Sequence, residues 1–343
     1  MSPPSSSPAP DSAALLARLD ILRGLDPGAF VVTPVRDTAP DSDQLLVIEG
    51  LGEALVARPP APVPEDDAPP AAGPAILARR HDEARALALA GPLGLAPPTL
   101  HYDPEDGFWV MPALSGIRLD NETLRDGDRL AKVAIALRRL HISGMTVAWH
   151  RDPFETLQIS GACIGNAPPG LPADGLHAIT DVARECRVAL IGTAPDPAPC
   201  LNAPWPSAYL DTGSRVLLLD WRAAAMSDPH HDLACLCEAQ NLGGDQEGRL
   251  LRAYFGTDRG RGQDRVRVFR LLAAQASLMD GLGAMRADNA DAAPPHQAHL
   301  IDRMARCRAI IESSAWNQAM ERLMARASLS PLPKGATRAD PDS

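Results

Sequence analysis

The feature that most constrains the fold is a change in hydrophobic pattern along the chain. Short β-like runs bounded by turn residues occupy the first third, and apolar residues at helical spacing dominate thereafter. The predicted strands are Ala29–Thr33, Gln44–Glu49, Glu53–Arg58, Thr99–Tyr102 and Gly107–Met111. The predicted helices are Ser12–Leu25, Ala75–Ala90, Leu130–His141, Leu171–Ile191, Gln246–Phe255, Asp264–Leu282 and Pro295–Arg326. With a β-like patch around residues 205–220, this order favours an α+β fold in which a sheet-bearing half precedes a larger helical half.

Charge and terminal sequence narrow the function classes. The chain has 343 residues and a net charge of −10, which disfavours a general nucleic-acid binder because such proteins carry a basic footprint. Its first residues, Met1–Pro8, lack the basic region and apolar core of a signal peptide. No apolar run approaches the ~20 residues that a bilayer crossing requires. We therefore expect a cytoplasmic protein with no membrane span.

The segment over residues 199–221 carries the most specific pattern in the chain. It opens with Pro199-Cys-Leu-Asn-Ala-Pro-Trp205 and ends in an apolar strand, Val216–Leu219, followed by Asp220-Trp-Arg222. Asp220 thus directly follows an apolar strand, and Arg222 lies two residues after it.

This frame resembles the catalytic loop and metal-binding strand of the choline/ethanolamine kinases and aminoglycoside phosphotransferases. There, His-Asn-Asp precedes four residues, an Asn, a short hairpin and a strand that ends in Asp-Trp-Glu. Further segments resemble elements of bacterial choline kinase-like proteins in the expected order: Leu93–Gly107, Leu130–His141, Arg151–Phe154 and Asp228–Ala234. The similarity spans about residues 12–260.

The resemblance implies a bilobal protein kinase-like fold. We expect a disordered tail over residues 1–12, a nucleotide-side N-lobe over 13–113, a helical substrate-side C-lobe over 114–327 and a flexible tail over 328–343. It also implies ATP and Mg²⁺ as cofactors. The implied ligands are a nucleotide and a small amine or alcohol, and a protein partner is a further candidate.

The catalytic positions implied by the resemblance are filled by apolar residues. The family's His falls on Leu201, its catalytic Asp on Ala203 and its metal-binding Asn on Ala208. A frame shifted by one residue would put Asn202 at the base position and Ser207 at the metal position, but Asn has no basic lone pair at neutral pH. No residue is therefore assigned as the catalytic base. The resemblance implies Asp220 as the metal ligand, since Mg²⁺ prefers one or two carboxylates with phosphate oxygens and water. Arg222 lies where the family has Glu and would either repel this ion or pair with Asp220 and replace it, and we favour the ion pair.

The nucleotide-side candidates are a cation and a carboxylate. Arg58 ends the third β-like run and Glu83 lies on the following helix, where the family has a basic residue that grips the phosphates and the Glu that holds it. The alternative is a surface Arg with a solvated helix Glu. The candidate phosphate loop, Arg23–Gly28, contains Pro27, which removes a backbone donor, so a plain turn is favoured there.

Four other polar residues near these motifs are expected to have structural roles. Asp211 is expected in a solvated turn, and Asp232 is expected to cap a helix or to anchor the catalytic loop. The adjacent His230 and His231 have no third metal ligand at suitable spacing, so surface or capping roles are favoured.

Three hypotheses follow. The first is a catalytically impaired relative of the choline kinases and aminoglycoside phosphotransferases with a binding or regulatory role. The second is an active ATP-dependent O-kinase of a small amino alcohol such as choline or ethanolamine, which uses Mg²⁺ bound to Asp220. The third is a scaffold for a partner protein, with no ligand between the lobes.

Overall fold

The computed structural model describes residues 31–34, 46–49, 54–58, 72–165, 171–256, 260–287 and 294–329. The chain forms two compact units. The first unit extends to Ala148 and also includes Pro206–Ala224, while the second comprises Trp149–Trp205 and the chain from Ala225 onward. The predicted helix Ser12–Leu25, the turn Arg23–Gly28 and the predicted tail 1–12 lie outside the described residues. Of the predicted flexible tail 328–343, Ser328 and Leu329 are helical, and the remainder lies outside the described residues.

A five-stranded antiparallel sheet dominates the described part of the first unit. Its strands are β1 (Val31–Pro34), β2 (Leu46–Glu49), β3 (Leu55–Arg58), β4 (His101–Asp103) and β5 (Phe108–Pro112), in the order β1-β2-β3-β5-β4. Leu46 and Ile48 are buried on β2, and Leu55 and Ala57 on β3, as the alternation of side chains along a strand requires. All five predicted strands are confirmed to within two residues.

The turn between β4 and β5 is the predicted hairpin turn. The backbone N–H of Gly107 donates to the carbonyl of Asp103 at 2.8 Å, and Gly107 has a φ of 77°. Because a side chain strains this left-handed backbone, glycine is the residue that suits the position. The turn sets the register in which Tyr102 of β4 lies opposite Trp109 of β5.

Helices and a second sheet complete the described part of this unit. The helices are α1 (Ala72–Ala90), α2 (Asn121–Leu124) and α3 (Gly127–His141). The second sheet contains β6 (Ile117–Arg118), β8 (Tyr209–Asp211) and β9 (Val216–Leu218) in the order β6-β8-β9, and a 3₁₀ turn, Pro206–Ala208, precedes β8. The apolar face of α3, which includes Leu130, Val133 and Leu137, is buried. Since α3 contacts β9, it supports the strand that leads to Asp220.

The second unit is mainly helical. Its helices are α4 (Glu155–Ile164), α5 (Ala173–Ile191), α6 (Pro229–Ala239), α7 (Gly244–Phe255), α8 (Arg261–Ala287), α9 (Pro294–Glu312) and α10 (Ser314–Leu329). Helix α8 contacts all of the other six, and strands β7 (Ala198–Cys200) and β10 (Ala225–Ser227) form an antiparallel pair. Within the described residues, no helix has both the length and the apolar character that a bilayer crossing requires. The predicted α+β class, a small antiparallel-sheet region followed by a larger helical part, is confirmed.

The prediction of one helix over Pro295–Arg326 was wrong, because α9 and α10 are separated at Ser313. The Ser313 hydroxyl accepts a hydrogen bond from the backbone N–H of Trp316 at 3.3 Å, which is the bond of a helix N-cap. The Ser313 carbonyl accepts from the Asn317 N–H and begins the new helix. Apolar spacing continues across this residue, so periodicity alone gave no sign of the break.

Candidate functional site

The predicted cation and carboxylate of the nucleotide side form a buried ion pair. Arg58, at the end of β3, donates from Nη1 to Oε1 of Glu83 at 2.8 Å and from Nη2 to Oε2 at 2.9 Å. Glu83 comes from the middle of α1, so the pair ties the sheet to this helix. Both residues are buried, which rules out the alternative of a surface Arg with a solvated Glu. Two parallel N–H···O bonds fix the guanidinium more firmly than a single contact would.

Three residues of the β4–β5 hairpin enclose this ion pair. The Tyr102 hydroxyl donates to Oε2 of Glu83 at 2.7 Å, and Nε of Arg58 donates to the Gly107 carbonyl at 3.1 Å. The guanidinium also lies 5.7 Å from the ring centroids of both Tyr102 and Trp109. The contacts of Tyr102, Gly107 and Trp109 with the ion pair were not predicted from the sequence. The signal available was the predicted hairpin, which sets Tyr102 and Trp109 side by side in a chain with few aromatic residues.

The environment keeps Arg58 charged and Tyr102 neutral. Burial alone would lower the pKa of Arg58, but the charge and hydrogen bonds of Glu83 outweigh burial and raise it. Burial and the adjacent Glu83 carboxylate raise the pKa of Tyr102 well above its usual range. At neutral pH, Arg58 is therefore a cation and Tyr102 is a neutral hydrogen-bond donor.

The second pair of charges lies just after β9. Asp220 is buried, and its Oδ2 accepts from Nη2 of Arg222 at 2.7 Å while its Oδ1 accepts from Nε of Arg222 at 3.0 Å. The backbone N–H of Arg222 donates to the same Oδ1 at 3.2 Å. Of the two arrangements considered for Arg222, the ion pair with Asp220 is the one observed.

Electrostatics link the two ion pairs. Burial would raise the pKa of Asp220, but the hydrogen bonds and charge of Arg222, with a contribution from Arg58, lower it. The charge of Arg222 in turn acts against the rise in the pKa of Arg58. The two ion pairs of this unit, Arg58–Glu83 and Asp220–Arg222, are together called the four-charge cluster below.

Backbone hydrogen bonds hold the strand that presents Asp220. The Leu218 N–H donates to the Leu95 carbonyl at 2.8 Å, and the Leu219 N–H donates to the Ala208 carbonyl at 2.8 Å. The Trp221 indole N–H donates back to the Leu218 carbonyl at 2.9 Å. These bonds fix the backbone on both sides of Asp220, so the position of its carboxylate is set by the fold.

The first unit does not offer a good Mg²⁺ site at these residues. Mg²⁺ needs oxygen ligands in near-octahedral geometry. Both carboxylate oxygens of Asp220 already accept from Arg222, and Ala208, at the position expected to supply a second ligand, is fully buried and has only a methyl side chain. The residues present fit a guanidinium at Asp220 better than they fit a divalent ion.

In the second unit, Asp232 anchors the loop that begins at Leu201. Its Oδ2 accepts from the Leu201 N–H and its Oδ1 from the Asn202 N–H, each at 2.9 Å. Asp232 lies in the first turn of α6, and it holds Asn202 in the left-handed conformation at a φ of 55°. Asn tolerates this conformation better than most residues do. The predicted role of Asp232 as a loop anchor is confirmed.

The same loop continues into Ala203, whose side chain has no reactive group. Ala203 is buried, and the carbonyl of the next residue, Pro204, accepts a hydrogen bond from Nε2 of Gln240 at 3.1 Å. The loop is therefore tied to the protein on both sides of Ala203. A methyl group can neither accept a proton nor orient a hydroxyl, so this loop carries no general base at Ala203.

Two predictions about polar residues were wrong. Asp211 is not in a solvated position: it is buried, and its carboxylate accepts from Nζ of Lys132 at 3.1 and 3.2 Å. His231 is not on the surface but in the helical core, edge-on to Phe269 at 5.4 Å, where burial lowers its pKa to about 4 and leaves it neutral. In both cases the partner is distant in sequence, so local pattern could not find it. The backbone N–H of His230, in contrast, is the donor that Asp228 caps at the start of α6.

Structural comparison identifies the fold. No protein-family model and no curated protein sequence matches the chain. Among solved structures, a choline/ethanolamine kinase family protein from Mesorhizobium loti is similar with a TM-score of 0.72 and 26% identity, over 91% of this chain and 98% of that one. An aminoglycoside phosphotransferase from Alicyclobacillus acidocaldarius has a TM-score of 0.59 and 15% identity, over 95% and 99% of the two chains. LicA, the choline kinase of Streptococcus pneumoniae, in complex with AMP, has a TM-score of 0.57 and 17% identity, over 84% and 97%. The chain therefore has the protein kinase-like fold of the choline/ethanolamine kinases and aminoglycoside phosphotransferases.

Proposed function

We propose that this chain is a catalytically impaired relative of the choline kinases and aminoglycoside phosphotransferases, which binds a nucleotide and has a binding or regulatory role. The observation that carries the proposal is the contrast within one loop. Asp232 holds the backbone of Leu201 and Asn202 in place, while the next residue, at the position of the catalytic base in the resembled family, is Ala203. The supporting framework is kept and the reactive group is missing.

Nucleotide binding is supported by the Arg58–Glu83 pair. Phosphoryl-transfer enzymes need a fixed cation near the phosphates, and Arg58 has that character because Glu83 and the Gly107 carbonyl orient it. The similar LicA structure is a complex with AMP. In keeping with this assignment, we take residues 13–113 as the nucleotide side of the protein and residues 114–327 as the substrate side.

Impairment follows from three substitutions relative to the resembled motif. General-base assistance contributes ~10²–10⁴ in rate, and Ala203 provides none. Ala208 removes the oxygen ligand for a second metal ion, and Arg222 replaces an anion with a cation that pairs with Asp220. Each change affects a different part of the reaction, so a single compensating change would not restore the activity.

A second candidate is an active O-kinase of a small amino alcohol. It is favoured by the intact Arg58–Glu83 pair and by the carboxylate of Asp220, to which a metal ion would bind by displacing Arg222. The similar protein from Mesorhizobium loti belongs to the choline/ethanolamine kinase family by name. In this reading, positioning and charge stabilisation would supply the rate without a base.

Calorimetry combined with an ATP-consumption assay separates these candidates. We expect ATP to bind and neither choline nor ethanolamine to stimulate ATP consumption. The Arg58→Ala variant should bind ATP at least about tenfold more weakly, because the cation proposed for the nucleotide side is lost. Consumption that depends on Mg²⁺ and stops in Asp220→Ala would replace the proposal with the active kinase. No nucleotide binding under any condition would favour the scaffold hypothesis instead.

A further inference from the structure

We infer that the chain binds the polyphosphate of its nucleotide without a divalent cation, and that the Arg222 guanidinium supplies the positive charge that Mg²⁺ would otherwise bring. The inference rests on the proposed nucleotide binding and specifies how it is achieved. Its basis is the geometry of the four-charge cluster, in which a cation of the protein already lies on the carboxylate expected to bind the metal ion.

Both oxygens of the Asp220 carboxylate accept from Arg222. Nε and Nη2 of Arg222 contact one oxygen each, and the Arg222 backbone N–H makes a third contact to Oδ1. A metal ion at either oxygen would have to compete with a bidentate, charge-assisted pair and would lie beside a guanidinium. Because the donor is only two residues from the acceptor in the chain, the guanidinium stays close to the carboxylate even when the pair opens.

Within the Asp220–Arg222 pair, the cation is more exposed to solvent than the anion. The Asp220 side chain is only 10% exposed, whereas the Arg222 side chain is 46% exposed. A ligand that approaches therefore meets the guanidinium before the carboxylate. An arginine suits a phosphate group in this position, because its planar N–H groups match the oxygen geometry of phosphate and its charge does not depend on pH.

A second fixed cation lies in the same unit. Nη1 and Nη2 of Arg58 donate to the two carboxylate oxygens of Glu83 at 2.8 and 2.9 Å. Each cation of the cluster is paired with one anion, Arg58 with Glu83 and Arg222 with Asp220, so the cluster is neutral overall. An anionic polyphosphate would therefore bring its negative charge to the exposed guanidinium of Arg222.

The alternative, a magnesium site, lacks ligands. Of the two positions at which the resembled family provides metal ligands, Ala208 has none to offer and Asp220 is occupied by Arg222. The Ala208 carbonyl accepts the Leu219 N–H within the sheet. The first unit thus provides a guanidinium on the carboxylate that the resemblance assigns to the metal ion.

The test is calorimetric titration of the full chain with the non-hydrolysable ATP analogue AMP-PNP, in excess EDTA and in excess Mg²⁺. We expect the wild type to bind in both conditions with dissociation constants that agree within about threefold. In Arg222→Ala, metal-free binding should weaken by about tenfold or more, and Mg²⁺ should restore part of it because Asp220 is released. The matched control is Arg184→Ala, which removes an exposed Arg from an Asp181 pair of the same 2.7 Å length in the helical unit and should change neither titration.

A second variant guards against misfolding of Arg222→Ala. Asp220→Asn keeps the shape of the side chain and removes its charge, so metal-free binding should be kept or strengthened while Mg²⁺ gives no gain. Binding of AMP-PNP by the wild type only when Mg²⁺ is present, or equal metal-free binding by Arg222→Ala and the wild type, would overturn the inference and leave the proposed function standing. Absence of binding in both EDTA and Mg²⁺ would overturn the proposed nucleotide binding, and the inference would fall with it.

Discussion

At the scale of single residues, Arg58 is the most constrained group of the candidate site. Its guanidinium donates to both oxygens of Glu83, to the Gly107 carbonyl and, at 3.4 Å, to the Tyr102 hydroxyl. These bonds fix its orientation and use four of its five N–H groups within the described residues. The Arg58 side chain is 9% exposed, so the desolvated charge depends on Glu83 for its stability.

Replacing Glu83 with Ala should therefore destabilise the protein strongly. The change leaves the Arg58 charge buried without its partner, and we expect a loss of about 3–5 kcal/mol in the free energy of unfolding. Urea titration followed by circular dichroism measures this loss. The control, Asp181→Ala, breaks the exposed Arg184 pair and should cost less than about 1 kcal/mol. Equal losses in the two variants would show that the Arg58–Glu83 pair is not a buried structural pair.

At the scale of elements, the start of α6 carries two carboxylates with different tasks. Asp228 is the N-cap: its Oδ1 accepts from the His230 N–H at 2.9 Å, and its Oδ2 pairs with Arg265 of α8. Asp232, one turn later, holds the loop that leads to Ala203. Both charges also suit the positive end of the helix dipole. One helix terminus thus joins the helical core to the loop that contains Ala203.

The cap residue predicts a pH dependence of stability. Burial would raise the pKa of Asp228, but His230 and Arg265 lower it to about 2, compared with 3.8 in the unfolded chain. Because the folded-state pKa is depressed, the stabilisation is complete above about pH 5 and is lost as the pH falls from about 4 to about 2. Its size is about 2 kcal/mol. In Asp228→Asn, which retains a capping side chain, this part of the acid-induced loss should disappear from urea titrations. An unchanged pH slope would refute the assignment.

The loop anchor gives a local prediction. Asp232→Ala leaves the Leu201 and Asn202 N–H groups without an acceptor, and we expect a loss of about 2–4 kcal/mol in unfolding free energy because each buried unsatisfied donor costs about 1–3 kcal/mol. In Asp232→Asn, the amide offers one acceptor oxygen, so the loss should be smaller. Amide hydrogen exchange should accelerate at these two residues in the Ala variant. Unchanged exchange there, compared with the wild type, would contradict the role of Asp232 as the anchor.

Some features of the fold and of the candidate site were predicted from the sequence and others were not, for physical reasons. The strands were predicted because side-chain alternation and a Gly turn are patterns of neighbouring residues. The Arg58–Glu83 pair was predicted because the family resemblance implies it. The break at Ser313 was missed because a cap depends on one hydroxyl rather than on periodicity. The buried Asp211 was missed because its partner, Lys132, is 79 residues away, and only the tertiary fold brings the two together.

At the scale of the whole molecule, the chain has the protein kinase-like fold of its structural neighbours, and our proposal is that this fold lacks several of the groups needed for phosphoryl transfer. The sheet-bearing unit retains the buried Arg58–Glu83 pair and holds Asp220 with Arg222, while the helical unit retains the Asp232 anchor beside Ala203. The order of the motifs was enough to predict the fold, since similar backbones follow from similar hydrophobic frames. The effect of ATP on the stability of the folded chain measures the proposed nucleotide binding.

Nucleotide binding should raise the stability of the intact chain by mass action. With ATP at 100 times its dissociation constant, the free energy of unfolding should increase by about 2.7 kcal/mol. Thermal unfolding followed across a series of ATP concentrations measures this increase. The Arg58→Ala variant should show a smaller increase at equal ATP concentration, while Arg184→Ala should match the wild type. A transition temperature that does not change with ATP would contradict nucleotide binding.

The most direct test of impaired catalysis is a turnover measurement at saturating ATP. The chain is incubated with ATP at a concentration that calorimetry shows to be saturating, with Mg²⁺ and either choline or ethanolamine, and ADP formation is followed over many hours beside the Asp220→Ala variant. If Ala203, Ala208 and Arg222 have removed the chemistry, the wild type and the variant will form ADP at the same background rate. ADP formation that requires the acceptor alcohol and Mg²⁺, and that is lost in Asp220→Ala, would show that the chain is an active kinase.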